Sequence, residues 1–438
     1  MAYLHHTTSA AVMTQGDLWT TPETNICIDR SKKVPCKPSV AIQHSSSTVL
    51  FYVAGTSEAI DGSDTELDVT FRIVDADMKP FAGTATSDAA PVNYILHSMF
   101  SQVDMCLGGT LVSQSAMTYG LRSIIESTIS YDKPAKDSHM TMRMWHKDTA
   151  GHMDAYTGDA NEGLKKRRER VKNSKIVKVR GPLHCDFLTN QGKFILPNID
   201  LEIKLTRAKD AFALMSTAQN ERIEILDATL WVRKVALSPS VSLGHAHALE
   251  RAPARYPFTR TSVKTITIPS GLRDKSIPNL HIGQVPKRIT IAFVSNMAFN
   301  GSYRHNPYNF QHFNLNYMAL YVDSEQYPAI PFTPDFGNDL WTDEYNSTFS
   351  DTGIKFKDEG HNISYDEYGR GYTLFCFDLT PDMSAHEPHW NLQKHGVVRL
   401  ELRFKNELAN AINCICYSEF DNIIEIDKNR HVVVDYNV

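Results

Sequence analysis

Residues 199–206 read IDLEIKLT, and residues 398–405 read VRLELRFK. Apolar and polar side chains alternate strictly in both segments. Alternation with a period of two is typical of a half-buried strand in an antiparallel sheet. A similar alternation occurs at residues 68–74, DVTFRIV, and helical periodicity is rare elsewhere. These segments therefore predict an all-β chain.

The two segments also belong to an internal repeat. They start 199 residues apart, and a second pair of segments follows the same order. In each of these segments an alternation of apolar residues lies between a histidine and a pair of turn residues. The segments are residues 97–109, HSMFSQVDMCLGG, and residues 312–324, HFNLNYMALYVDS. Similar elements in the same order about 200 residues apart are what a tandem duplication leaves.

Each half then has room for about eight short strands, which favours a sandwich or a jelly roll. We predict two tandem eight-stranded jelly rolls with a few short helices in loops, the best helical candidates being residues 119–129 and 340–349. Residues 238–257 hold three prolines and no strand pattern, which indicates a connector. The predicted parts are an N-terminal arm at 1–47, the first jelly roll at 48–238, the connector at 239–262 and the second jelly roll at 263–438.

Composition excludes several classes of protein. Of 438 residues 42% are hydrophobic and 22% charged, as in ordinary globular proteins. A net charge of −5 argues against a surface built as a whole to coat nucleic acid. No apolar run approaches a membrane span, and the first residues lack a signal-peptide pattern. The seven cysteines form no CxxC pair. We therefore expect a reduced, intracellular, soluble protein.

The sequence carries few candidates for a catalytic or metal site. The closest histidine pairs are His245 with His247 and His386 with His389, but the sequence places no third ligand beside either pair. The adjacent carboxylates at 358–359 and 366–367 lie in polar loops. The chain has no GxSxG, P-loop or HExxH motif. We predict no enzymatic activity, no metal and no cofactor.

One basic run stands out, formed by Lys165, Lys166, Arg167, Arg168 and Arg170. It is a candidate for nuclear localisation or for contact with nucleic acid. Aromatic residues do not interleave with it, so it does not resemble a platform for stacking bases. A solvated loop or an inter-subunit surface of salt bridges is the favoured alternative.

A second segment, residues 299–321, is dense in aromatic residues and asparagine. Such residues supply large contact areas and adaptable hydrogen bonds at interfaces. The segment is therefore a candidate subunit interface, with Tyr303, Tyr308, Phe310 and Phe313 as its predicted contacts. A loop packed on its own domain is the equally weighted alternative.

Five blocks of sequence carry a resemblance to a known family. The longest, residues 283–328, reads GQVPKRITIAFVSNMAFNGSYRHNPYNFQHFNLNYMALYVDSEQYP, and the others are residues 97–113, 228–250, 357–382 and 419–438. Together they resemble the major capsid protein of Polinton/Maverick elements, the virus-like DNA transposons related to adintoviruses. The resemblance implies a hexon-like double jelly roll that forms a homotrimer and has a single-jelly-roll penton protein as its partner.

The resemblance also implies a function. Trimers would tile an icosahedral capsid around double-stranded DNA without sequence-specific binding. The protein would be made in the host cytoplasm, with the nucleus as a candidate place of assembly, and would reside in the virion. Two alternatives remain: a jelly-roll protein that binds a receptor or glycan, and a cupin-like metalloenzyme, which would hold stoichiometric metal.

Overall fold

The fold is described from a computed structural model, which covers residues 13–43, 46–81, 88–114, 116–189, 192–355 and 357–434. Parts of the predicted N-terminal arm (residues 1–12 and 44–45) and the last four residues of the 419–438 block lie outside the described residues.

The first half forms two four-stranded antiparallel sheets, with strand orders β1-β10-β3-β7 and β2-β8-β5-β6. A two-stranded ribbon, β4-β9, lies beside them. The strands are β1 Ile28–Cys36, β2 Thr48–Val53, β3 Ala59–Val74, β4 Ala90–Pro91, β5 Phe100–Leu107, β6 Thr110–Gln114, β7 Val177–Pro182, β8 Leu201–Arg207, β9 Leu214–Met215 and β10 Arg222–Leu237.

The second half repeats this order as β11-β18-β13-β16 and β12-β17-β14-β15, with β19 paired to β18. Its strands are β11 Ala254–Ile268, β12 Asp274–Gln284, β13 Arg288–Ser295, β14 Leu315–Val322, β15 Glu325–Phe332, β16 Phe375–Asp378, β17 His395–Phe404, β18 Ile412–Ile426 and β19 Val432–Val434. Two eight-stranded jelly rolls in tandem are thus confirmed.

The sequence repeat is also a structural repeat. Ile203 of β8 pairs with Met105 of β5, and Leu402 of β17 pairs with Met318 of β14. The two pairs of similar segments are therefore neighbouring strands at the same place in each jelly roll. All four side chains are buried, because one face of each sheet lines the core.

Among the described residues, ten α-helices lie in the connections, and the predicted helices at 119–129 and 340–349 correspond to α2 and α9. The helices are α1 Ile95–Ser98, α2 Tyr119–Ser130, α3 Lys133–Asp137, α4 Glu162–Val171, α5 Asp186–Thr189, α6 Asp210–Ala213, α7 Pro239–Leu249, α8 Asn296–Asn300, α9 Thr342–Ser350 and α10 Tyr365–Tyr368. Short 3-10 helices span Thr14–Gly16, His139–Arg143 and Lys172–Ser174.

Each jelly roll has its own apolar core, and a third cluster joins the two. The end of the chain also bridges them, because Ile424, Ile426 and Val432 of the second half pack into the first core. Cys414 and Cys416 lie on one face of β18 inside the second core, as small buried apolar residues.

Two predicted boundaries differ from the structure. Strand β1 lies within the segment predicted as an arm, and the connector is the helix α7, after which β11 starts at Ala254. Strand β1 is an edge strand that buries none of its side chains fully, so its sequence lacks the alternation that marks the inner strands. Helix α7 buries no residue either, so it has no apolar stripe to indicate a helix.

Candidate functional site: the junction of the two jelly rolls

Four long connections meet where the two jelly rolls touch. They are the β3–β5 and β6–β7 connections of the first half and the β13–β14 and β15–β16 connections of the second. Together they carry α1 to α4 and α8 to α10. We call the four connections the loop cap.

The aromatic segment predicted as a subunit interface lies in this loop cap. Tyr308 is buried, and its hydroxyl lies 2.6 Å from Ser98 Oγ of the first jelly roll. Burial raises the pKa of the Tyr308 phenol, so the group stays neutral. Tyr303 donates a hydrogen bond to the Glu221 carbonyl oxygen at 2.8 Å.

The other two predicted contacts are also internal. Phe310 is buried in the cluster that joins the jelly rolls, and Phe313 packs on the core of its own jelly roll. The segment is therefore an interface, but between the two halves of one chain. Burial leaves Tyr308 and Phe310 unavailable to a second subunit, which corrects the prediction for them.

Asparagines of the same segment add polar contacts. Asn306 Nδ2 donates to Asp148 Oδ2 at 3.0 Å, and the Asn306 backbone N–H donates to Asp154 at 2.7 Å. Asn309 Nδ2 donates to the other oxygen of Asp154 at 2.7 Å. Buried polar groups of this kind are stable only when paired, so they fix the relative position of the two halves.

The basic run lies on helix α4, not in a loop, and part of it is internal. Arg167 is fully buried and forms an ion pair with Asp148 at 2.5 Å. Its guanidinium also donates to the carbonyl oxygens of Pro91 and His146. The interpretation as a solvated loop is wrong for Arg167, because its buried side chain ties α4 to the rest of the loop cap. Arg167 is therefore not accessible to nucleic acid.

The other members of the basic run differ in how far their side chains are bound within the chain. Arg168 donates to the carbonyl oxygens of Asp88, Tyr156 and Gly158, and Arg170 to that of Thr141. Lys165 pairs with Asp159 at 3.0 Å, and Lys166 is exposed. Contact with nucleic acid or a nuclear-import factor stays a prediction for the exposed lysines.

Two further lysines cross the junction. Lys136 Nζ donates to the carbonyl oxygen of Thr128 at 2.9 Å and to that of His361, in the second jelly roll, at 2.8 Å. Burial, assisted by the nearby charge of Lys147, lowers the pKa of Lys136 to about 7. Lys147 forms an ion pair with Glu367 at 2.5 Å.

A buried group of titratable side chains, which the sequence did not reveal, lies in the first jelly roll. Arg122 and Asp186 pair at 2.6 Å, and a cavity of about 400 Å³ opens beside them towards β11. Asp186 also accepts from the Thr261 backbone N–H of the second jelly roll at 3.2 Å. Burial raises the pKa of the adjacent Cys185 thiol to about 12, so it is a poor nucleophile.

Neither histidine pair belongs to a described group of three side chains that could hold a metal ion. His245 and His247 lie on the exposed helix α7, and His389 Nε2 lies 2.9 Å from Asp382. Within the described ranges, no three His, Cys, Asp or Glu residues are grouped so that they could hold a metal ion. Among the described helices, none is long and apolar enough to cross a membrane.

Comparisons with known proteins agree with the fold. No protein-family model matches the chain. An uncharacterized protein of Caenorhabditis elegans is 24% identical over 430 residues, which cover 94% of this chain and 99% of that protein.

Solved structures of three viral proteins share the architecture. A protein in the cryo-EM structure of the Sputnik virophage aligns with a TM-score of 0.63 at 13% identity, over 98% of this chain and 93% of that chain. The Faustovirus major capsid protein gives 0.57 at 8% identity, over 94% and 93%. The mavirus major capsid protein gives 0.53 at 10% identity, over 100% and 97%. At such identities the likeness establishes the fold, a double jelly roll.

Proposed function

We propose that this chain is a structural capsid subunit, a hexon-like major capsid protein of the Polinton/Maverick and adintovirus kind. One observation carries the proposal: two complete jelly rolls of the same strand order are held side by side in one chain. The buried polar contacts of the loop cap fix them as a pair. The end-to-end likeness to viral major capsid proteins supports the same role.

The duplication has a physical use in such a role. Three chains, each with two near-equivalent lobes, make a ring of six lobes that tiles a facet as a hexamer would. We propose a homotrimer that assembles an icosahedral shell around double-stranded DNA, with a single-jelly-roll penton protein at the vertices. A net charge of −5 is compatible with enclosing DNA without coating it.

In this role the protein performs no catalysis and needs no cofactor. It would be made in the host cytoplasm, assembled there or in the nucleus, and end in the virion capsid. A receptor- or glycan-binding jelly roll is the alternative, and a glycan array tests it: selective, saturable binding by the purified monomer would favour that alternative.

Mass measurement in solution tests the subunit role. Sedimentation or light scattering of the purified full chain should show a species of three times the 49.4 kDa chain mass, or larger assemblies of it. A strictly monomeric protein at high concentration would count against the proposal.

A further inference from the structure

Strand β11 is an edge strand of the second jelly roll, so one row of its backbone groups faces away from its neighbour β18. The backbone N–H of Thr261 is in this row, because it donates to Asp186 of the first jelly roll at 3.2 Å. The pairing with β18 has no bulge, so the N–H groups of Val263, Thr265 and Thr267 face the same way. Among the described residues, no strand pairs with β11 on that side.

The first half of this edge is protected, and the second half is not. Pro257 lies in the outward row and has no N–H to offer, and the Thr261 N–H is already bonded. Beyond Thr261, Val263 is half-buried and Thr265 and Thr267 are exposed. All three are β-branched residues, which suit a strand. An accessible edge of this kind is a template on which a further strand can pair.

Two cavities lie along this edge, between the two jelly rolls. The first, of about 400 Å³, is lined by residues 260–263 of β11, and the second, of about 290 Å³, by Thr265. Both are bounded by Ala116 and Thr118, so they adjoin. The apolar side chains that line the second are Phe100, Met117, Leu121, Phe212 and Phe299. We call the two cavities together the β11 groove. A segment that pairs with the free edge of β11 would occupy this groove.

The charge of the β11 groove is positive. Its charged lining residues are Arg122, Arg207, Lys209, Arg260 and Asp186. The surplus stays positive when Glu126 and Asp210, which pair with Arg122 and Arg207, are also counted. Lys209 is the exposed member of the set. The β11 groove therefore suits an extended segment that carries carboxylates and a large apolar side chain.

Residues 13–27 of the chain, which we call the arm segment, have this character. Every one of them is exposed, and the side chains of Leu18 and Trp19 are 78% and 84% exposed. The charged residues of the arm segment are Asp17 and Glu23, and it contains no lysine or arginine. Pro22 biases the residue before it towards an extended backbone. A tryptophan exposed to this degree gains much from burial against a partner.

We propose that the arm segment of one chain pairs as an added strand with the free edge of β11 in a second copy, with Trp19 in the β11 groove. Backbone hydrogen bonds to Val263, Thr265 and Thr267 provide affinity, and the cavities provide specificity. Within one chain the arm segment is exposed and leaves the groove open, so both surfaces are available to a neighbour. The inference rests on the capsid-subunit role and names a contact that links its subunits.

A proline substitution on β11 tests the pairing. T265P removes an outward N–H and leaves the bonds to β18, as Pro257 does in the natural strand. In sedimentation equilibrium of the full-length protein, T265P and L18S/W19S should each raise the dissociation constant of self-association at least about tenfold. T265V keeps the N–H and the β-branched shape, and L243S removes an exposed leucine from helix α7. Both controls should associate as wild type does.

A labelled peptide of residues 13–27 tests the contact directly. By fluorescence anisotropy it should bind saturably to full-length L18S/W19S/T265V, whose own arm segment is impaired. Its dissociation constant for L18S/W19S/T265P should be at least about tenfold higher, since one backbone donor of the edge is lost.

The outcomes separate this inference from the subunit role. Wild-type association of both T265P and L18S/W19S, or equal binding of the peptide to the two triple variants, would overturn the pairing and leave the subunit role intact. Peptide binding that T265P weakens, with unchanged self-association, would assign the arm segment to the groove of its own chain and overturn the second copy as partner. A monomeric wild-type protein would contradict the subunit role itself. If T265P does not fold by circular dichroism, T267P replaces it with the same expected results.

Discussion

The guanidinium of Arg167 and the carboxylate of Asp148 form an ion pair at 2.5 Å, with both side chains buried. The pair belongs to the junction, because the other oxygen of Asp148 accepts a hydrogen bond from Asn306 of the second jelly roll. Helix α4 of the first jelly roll and Asn306 of the second are thus connected through one carboxylate.

Replacing Arg167 with methionine should therefore destabilise the protein strongly. The change leaves a buried carboxylate without its cation, which costs about 3–5 kcal/mol in comparable cases. Urea denaturation measures the loss. The control K165M, at a half-exposed site on the same helix, should change stability by less than about 0.5 kcal/mol. Equal effects of the two substitutions would mean that Arg167 is not buried as described.

The hydrogen bond between Tyr308 and Ser98 should couple the two jelly rolls. In a double-mutant cycle with Y308F and S98A, we expect a coupling energy of about 1 kcal/mol in the free energy of unfolding. Y327F serves as the control, because the Tyr327 hydroxyl bonds to the exposed Glu325 and should contribute less than about 0.5 kcal/mol. Strict additivity of Y308F and S98A would contradict the contact.

Lys136 should make stability depend on pH. The pKa of Lys136 is about 7 in the folded chain and near 10.5 in the unfolded chain. Between pH 7 and pH 10.5 the unfolded state therefore binds more protons than the folded state. The free energy of unfolding should then rise with pH, by up to about 1.4 kcal/mol per pH unit relative to the variant K136M. Urea titrations at pH 7, 8 and 9 measure this difference, and parallel curves for the two proteins would contradict it.

Cysteine reactivity should follow burial. Burial raises the pKa of Cys185 and Cys376 to about 12 and that of Cys416 to about 11, so few thiolates form there at pH 8. Cys27 is exposed and should react with iodoacetamide first. Mass spectrometry of the alkylated native protein checks the order, with the urea-unfolded protein as the fully labelled control. Rapid labelling of Cys416 in the native protein would contradict its burial in the core of the second jelly roll.

The sequence predicts those strands in which buried apolar and exposed polar side chains alternate. Strands β8 and β17 each have one face towards the interior, and this constraint is visible as a period of two in their sequences. The edge strand β1 lacks that constraint, since it buries no side chain fully. Its polar sequence therefore does not indicate a strand, and the sequence predicts an N-terminal arm there.

The junction was harder to predict, because partners distant in sequence decide whether a charged or aromatic side chain is internal. In the sequence Arg167 does not differ from the other members of the basic run. In the folded chain Asp148 and the carbonyl oxygens of Pro91 and His146 surround it. The composition of residues 299–321 favours a subunit interface and a loop packed on its own domain equally, and in the structure Tyr308 contacts Ser98 of the same chain. The spacing of residues along the chain does not show whether an interface residue contacts the other jelly roll of the same chain or a second subunit.

Electron microscopy of the expressed full-length protein tests the central claim most directly. If the chain is a capsid subunit, images should show trimeric capsomers with a six-lobed outline, or closed shells built from them. Particles no larger than a single 49.4 kDa chain, at concentrations where capsid proteins assemble, would contradict it.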